Sequence, residues 1–176
     1  MLRLLKSRNR PPPVEIYWAD DLRPVRIAIM PRPRGGEHLD GELRQLAAAG
    51  VHTLVSLLTT GEAEREGLAD EGTLCAKHGI AFRHFAVADH QTPHSVELFL
   101  EFGDSIVPTL QRDHGVAVHC YAGIGRSALT AGTLLLRAGV PRARIFPALS
   151  KGRGMNVPET TEQALWFRAL ADAHGP

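Results

Sequence analysis

One stretch of this chain has residue types at spacings that dictate a chemistry: His119-Cys-Tyr-Ala-Gly-Ile-Gly-Arg-Ser127. A cysteine and an arginine stand at the two ends of a short loop holding Gly123 and Gly125. Upstream, Gly115 to His119 (GVAVH) reads as a buried strand, and downstream Arg126 to Ala138 (RSALTAGTLLLRA) reads as a helix closed by Gly139. The loop therefore enters a helix N-terminus, where backbone N–H groups lack intrahelical partners and the helix dipole is positive, so an anion docks there. Gly123 and Gly125 are expected to take positive φ and turn several N–H groups towards one point. The amides of Tyr121, Ala122, Gly123, Ile124 and Gly125 would then cradle phosphoryl oxygens, with the planar fork of Arg126 matching two of them. The same field favours the thiolate of Cys120, the competent nucleophile. Ser127 can donate its hydroxyl to the sulfur when it leaves, and His119 is read as orienting the loop, since a thiolate needs no base.

These nine residues resemble, position for position, the His-Cys-x-x-Gly-x-x-Arg-Ser signature of the cysteine-dependent protein tyrosine phosphatase superfamily. Such chemistry needs an acid to protonate the departing ester oxygen, and Asp89 in Val87-Ala-Asp-His-Gln-Thr-Pro93 follows an expected strand. It lies 31 residues before Cys120 (120 − 89) with a trailing proline, which resembles the general-acid loop of small dual-specificity phosphatases. In those relatives the same aspartate later activates water against a cysteinyl-phosphate. Asp104 and Asp113 are reserve candidates. Ala88 stands where the larger tyrosine phosphatases carry proline, so the resemblance is to the compact, atypical dual-specificity type and covers roughly residues 14–170. Gln163 has two readings, the glutamine that positions hydrolytic water in some relatives or the return partner in a helix cap.

The elements that must position these groups alternate. Val14 to Trp18 and Val25 to Met30 read as two strands of a small antiparallel N-terminal edge, linked through Pro31-Arg-Pro-Arg-Gly-Gly36 to a helix over Leu39 to Ala49. Val51 to Leu58 reads as a strand, Thr59 with Glu62 as a capping box, and a helical region broken near Gly67 runs to His78. Ile80 to Val87 is expected as a core strand, and Thr92-Pro93 as the start of a helix bending near Gly103 or Pro108. Pro141 to Leu149 reads as a short helix, Lys151 to Gly154 as a loop, and Thr160 with Gln163 as the cap of a closing helix to Ala173. The alternation predicts an α/β protein tyrosine phosphatase-like fold, a central, mostly parallel sheet flanked by helices on both faces. The Cys loop and the loop after Val87 fall at the carboxyl ends of strands, where such sheets bind ligands.

The 176 residues suit one domain over 14–176, after a basic lead-in over 1–13 that ends in Pro11-Pro-Pro13. A net charge of +1 with spread basic residues argues against a nucleic-acid surface, and no apolar run approaches membrane-spanning length. Cys75 and Cys120 make no disulfide framework, and a catalytic thiolate needs a reducing compartment, so a cytoplasmic monomer is expected. Cys75 reads as a small buried hydrophobe rather than a redox partner. His84, Asp89, His90 and His94 do not make a converging ligand set, and no metal or cofactor is expected. The partner implied by the resemblance is a phosphorylated protein, with phosphotyrosine favoured and phosphoserine or phosphothreonine open. Tyr121, Ala122, Ile124 and Gly125 carry no charge, which disfavours polyphosphorylated lipids. A phosphoprotein-binding module without turnover is the rival from another class, and a sulfur- or arsenate-handling enzyme is a second.

Overall fold

The computed structural model describes residues 12–112 and 114–175, so most of the basic lead-in and Asp113 lie outside the described residues. Five strands form one sheet: β1 (Tyr17–Trp18), β2 (Ile27–Met30), β3 (Val51–Ser56), β4 (Ala81–His84) and β5 (Gly115–His119), in the order β1-β2-β5-β3-β4. Only β1 runs antiparallel. The helices are α1 (Leu39–Ala48), α2 (Thr60–Arg65), α3 (Glu71–Lys77), α4 (Val96–Asp104), α5 (Val107–Gln111), α6 (Arg126–Arg137), α7 (Arg142–Arg153) and α8 (Thr161–His174).

Every residue of β2 and β5 is buried, as expected of parallel strands covered on both faces. Alternate side chains feed two cores. Ile27, Ile29, Val116 and Val118 pack with Leu129, Leu134, Ile145 and Phe167 beneath α6, α7 and α8. Met30, Leu54 and Ala117 pack with Leu43, Leu46 and Cys75 beneath α1 and α3. Among the described residues no helix is long and apolar enough to cross a membrane.

Register is what assembles the site. Met30 pairs with His119, Ser56 with His119, and Ser56 with His84, so the four parallel strands end at one level. The loops following them share one rim of the sheet, with the Cys loop after the middle strand.

Several expected elements differ. The expected antiparallel N-terminal edge is present as β1 paired with β2, but β1 is only two residues long and β2 also pairs parallel with β5. The strand expected over 80–87 stops at His84 and is an outer strand with no buried residue. The chain nevertheless stays extended, since Phe85 and Val87 donate to Ser56 O and Leu57 O at 3.1 and 3.0 Å. Thr92-Pro93 does not open α4; Ser95 does, its Oγ accepting from Leu98 N at 3.2 Å. The bend expected near Gly103 or Pro108 is a break, with Pro108 in the first turn of α5. The helix expected to end at Leu149, with Pro147 inside it, continues to Arg153 and is capped by left-handed Gly154.

Candidate active site

Cys120 follows directly on β5 and is buried, with its Sγ 3.5 Å from Ser127 Oγ. Gly123 takes φ of 71°, and a Cβ there would lie 2.3 Å from the Met30 carbonyl carbon, so the loop rests against the end of β2. Gly125 differs from expectation. Its φ is −88°, and its reason is space, because a Cβ would stand 2.9 Å from both Gln163 Oε1 and Glu159 Oε2. Tyr121 projects outward, 45% exposed, with the Arg32 guanidinium 4.6 Å from its ring centroid.

Arg126 opens α6 and is only 2% exposed. Its Nη1 donates to Glu62 Oε2 at 3.0 Å and to Val87 O at 2.9 Å, while Nη2 donates to Glu62 Oε1 at 3.0 Å. Nη2 also lies 2.8 Å from Asp89 Oδ1, on a side chain 55% exposed. The fork is thus held from behind by a bidentate carboxylate and meets Asp89 at the open side. Burial pushes the Glu62 carboxyl up, yet hydrogen bonds from Arg126 and Thr59 outweigh it and hold Glu62 below the usual glutamate range. Burial acts against the charge of Arg126, and Glu62, Cys120 and Asp89 together raise its pKa. Thr59, Glu62, Arg65, Ala88, Asp89 and Tyr121 line a hollow of about 400 Å³ at this mouth. His90, next to Asp89, adopts a left-handed φ of 57° with its N–H donating to Asp89 Oδ1 at 3.1 Å. Local backbone strain of this kind collects at functional sites.

His119 lies beneath the loop, fully buried, with Nδ1 3.3 Å from Cys120 O. Its Nε2 is 3.0 Å from Glu71 Oε1, but the contact is not aligned as a hydrogen bond and leaves both atoms without another partner. Gln163 is buried, returns its Oε1 to Thr160 N at 3.3 Å as the capping reading requires, and extends Nε2 to Gln91 O at 3.4 Å. Of the reserve acids, Asp104 is remote and occupied, accepting two 2.7 Å hydrogen bonds from Arg137. The arginines of the 31–36 link face acids of this chain, Arg32 with Glu66 and Arg34 with Glu42. His84 Nε2 meets Leu58 O at 2.7 Å, and no group of three or more metal-binding side chains converges among the described residues. Cys75 sits in the opposite core from Cys120, its thiol pushed up to about 12 by burial and the nearby Glu71.

Sequence reasoning missed Glu62 and Glu71 as parts of this constellation. Glu62 was visible only as a cap, and a carboxylate 64 residues from Arg126 has no local signal pointing to it.

Residues 28–140, well over half of the chain, match the family described as polymorphic toxin system, DSP-PTPase phosphatase. The chain belongs to this family. Among curated relatives of this phosphatase domain, cyclin-dependent kinase inhibitor 3 of Rattus norvegicus is 23% identical over 137 residues, covering 77% of this chain and 64% of that protein. The Homo sapiens counterpart is 25% identical over 133 residues, covering 74% and 62%. The chain therefore spans slightly less than two thirds of the length of these relatives. A crystal structure of kinase associated phosphatase, with its catalytic site cysteine substituted by serine, superimposes with a TM-score of 0.80 at 21% identity over 93% of this chain and 97% of that one. The active form of Tk-PTP gives 0.66 at 25% identity, covering 84% and 92%, and human DUSP28 gives 0.65 at 18%, covering 93% and 96%. The fold is that of the dual-specificity phosphatases.

Proposed function

We propose that residues 14–176 form a metal-independent phosphatase acting on phosphate monoesters of proteins, with phosphotyrosine the favoured substrate and phosphoserine or phosphothreonine also accepted. The observation that carries this is a buried cysteine at the floor of a loop whose closing arginine is gripped by Glu62 and faces Asp89. The loop amides and Arg126 bind the phosphoryl group, which takes the place of Asp89 at Nη2 of Arg126. Cys120 attacks phosphorus as thiolate, so the S–P bond forms as the ester P–O bond breaks, and Asp89 in its acid form gives its proton to the departing oxygen. Water then attacks phosphorus, Asp89 takes its proton, and sulfur leaves as thiolate beside the Ser127 hydroxyl. Gln163, bound into the cap of α8, packs directly against Gly125 of the loop. Thiolate chemistry of this kind calls on no metal or other cofactor. A cytoplasmic monomer is the state in which this chemistry is proposed to operate.

Hydrolysis of p-nitrophenyl phosphate in EDTA and reductant tests the reading, with turnover expected in the wild type and none in Cys120→Ser. No turnover in folded wild type, together with binding of phosphotyrosine peptides, would replace the enzyme by a phosphoprotein-binding module.

A further inference from the structure

The back of the Cys loop is held as deliberately as its front. For amides to face a bound oxyanion, the carbonyls of the same planar trans peptides must point the other way. Three consecutive carbonyls of this loop do have partners outside it. Tyr121 O accepts from Arg32 N at 3.1 Å, Ala122 O from Arg153 Nη2 at 3.3 Å, and Gly123 O from Arg153 Nε at 3.1 Å. A single guanidinium thus sets the orientation of the two peptides on either side of Gly123. Those peptides are the loop's weakest point, because a glycine without Cβ lets a peptide plane rotate at little cost.

Arg153 itself is placed with care. It ends α7, and its guanidinium carbon lies 4.3 Å from the centroid of the Tyr17 ring on β1. The residue before it is a glycine for a steric reason, since a Cβ on Gly152 would lie 2.4 Å from Trp18 O. The last turn of α7 is therefore pressed onto β1 at a distance no side chain permits, and that approach brings Arg153 within reach of the loop.

We propose that Arg153 is a positioning residue for the reaction, keeping the 122–123 and 123–124 peptides turned so that the N–H groups of Gly123 and Ile124 face the phosphoryl oxygens. Without it, a carbonyl can rotate into the anion site and repel the substrate. The inference rests on the phosphatase reading above, and the experiment separates the two.

Binding of inorganic tungstate, an oxyanion of phosphate's shape, is measured by calorimetry on wild type and Arg153→Met, which keeps the stem over Tyr17 but has no donor. Thermal melting and p-nitrophenyl phosphate kinetics are recorded alongside. The expected result is tungstate affinity and kcat/KM both lowered by about tenfold or more, on the scale of one to two lost hydrogen bonds, with the melting temperature nearly unchanged. Arg153→Lys, with one donor for one carbonyl, should recover part of both. If Arg153→Met fails to melt cooperatively, Arg153→Gln takes its place with the same readouts. Wild-type tungstate affinity and kcat/KM in a folded variant would overturn the inference and leave Arg153 a packing residue of α7. A wild type that binds no tungstate would overturn the phosphatase reading and this inference with it.

Discussion

Two helices at the mouth of the site begin with the same device and put it to different use. In α2, Thr59 Oγ1 accepts from Glu62 N at 3.3 Å while Glu62 Oε2 accepts from Thr59 N at 2.9 Å. In α8, Thr160 Oγ1 accepts from Gln163 N at 3.1 Å while Gln163 Oε1 accepts from Thr160 N at 3.3 Å. Locally these are one motif. The difference is charge. Glu62 has a formal negative charge to spare and both its oxygens bind Arg126, whereas neutral Gln163 offers only a weak amide bond to Gln91 O and a wall against Gly125. A reciprocal cap freezes its acid or amide side chain in one rotamer, so the cap doubles as a scaffold for whatever stands on its other side.

The comparison can be broken most sharply by removing each side chain. Glu62→Ala leaves Arg126 buried without its main counterion, and a loss of about 3 kcal/mol in denaturant melts is expected. Its kcat/KM should fall by roughly tenfold or more, because the guanidinium is no longer aimed. Gln163→Ala should lose about 1 kcal/mol, the worth of a cap, and much less activity. Equal losses in the two variants would show that Glu62 acts only as a cap.

Acid provides a second contrast. The folded-state pKa of Glu62 is below the ordinary value of about 4.3, so its pairing contributes stability that is complete above that value and is lost as pH falls through the lower, folded one. The stability gap between wild type and Glu62→Gln should therefore be constant near neutrality and close as the solution is acidified below the ordinary glutamate range. Gln163 has no titration, so the gap between wild type and Gln163→Ala should stay flat over the same range.

The smallest effects come from the threonines. Thr59→Ala and Thr160→Ala should each cost about 1 kcal/mol in melts. Only Thr59→Ala should also lower kcat/KM, since Thr59 Oγ1 donates to Glu62 Oε2 at 2.9 Å and helps hold the oxygen that Arg126 uses. A drop in kcat/KM of the same size in Thr160→Ala would put Gln163 closer to the reaction than its cap implies.

Much of the site was legible from local order. Cys120, Arg126 and Ser127 lie within one loop and one helix start, so their convergence follows from a strand meeting a helix. Both capping boxes were legible for the same reason, being contained within four residues. Asp89 was named from sequence as an acid for the leaving group; the structure places it 2.8 Å from Arg126, although the strand thought to lead to it is shorter and more exposed than expected. Its approach depends instead on Phe85 and Val87 hydrogen-bonding beyond the end of β4. The end of α7 was misread because Gly152 and Gly154 look like helix breakers, yet packing against β1 carries the helix on to Arg153. Propensity is a local quantity and was overruled there by the close approach of Gly152 to the Trp18 backbone.

The chain's sequence alone determined which groups meet at the loop: a cysteine, an arginine fork and a positive helix end are brought together by covalent continuity over a few residues. Only the tertiary structure decided which groups hold that apparatus in place. Glu62 reaches Arg126 across 64 residues, Glu71 comes to stand under His119, and Arg153 takes the back of the loop 30 residues further on. Such partners are chosen by strand register and helix packing, in which the ends of four parallel strands are brought level, and no periodicity along the chain encodes that alignment.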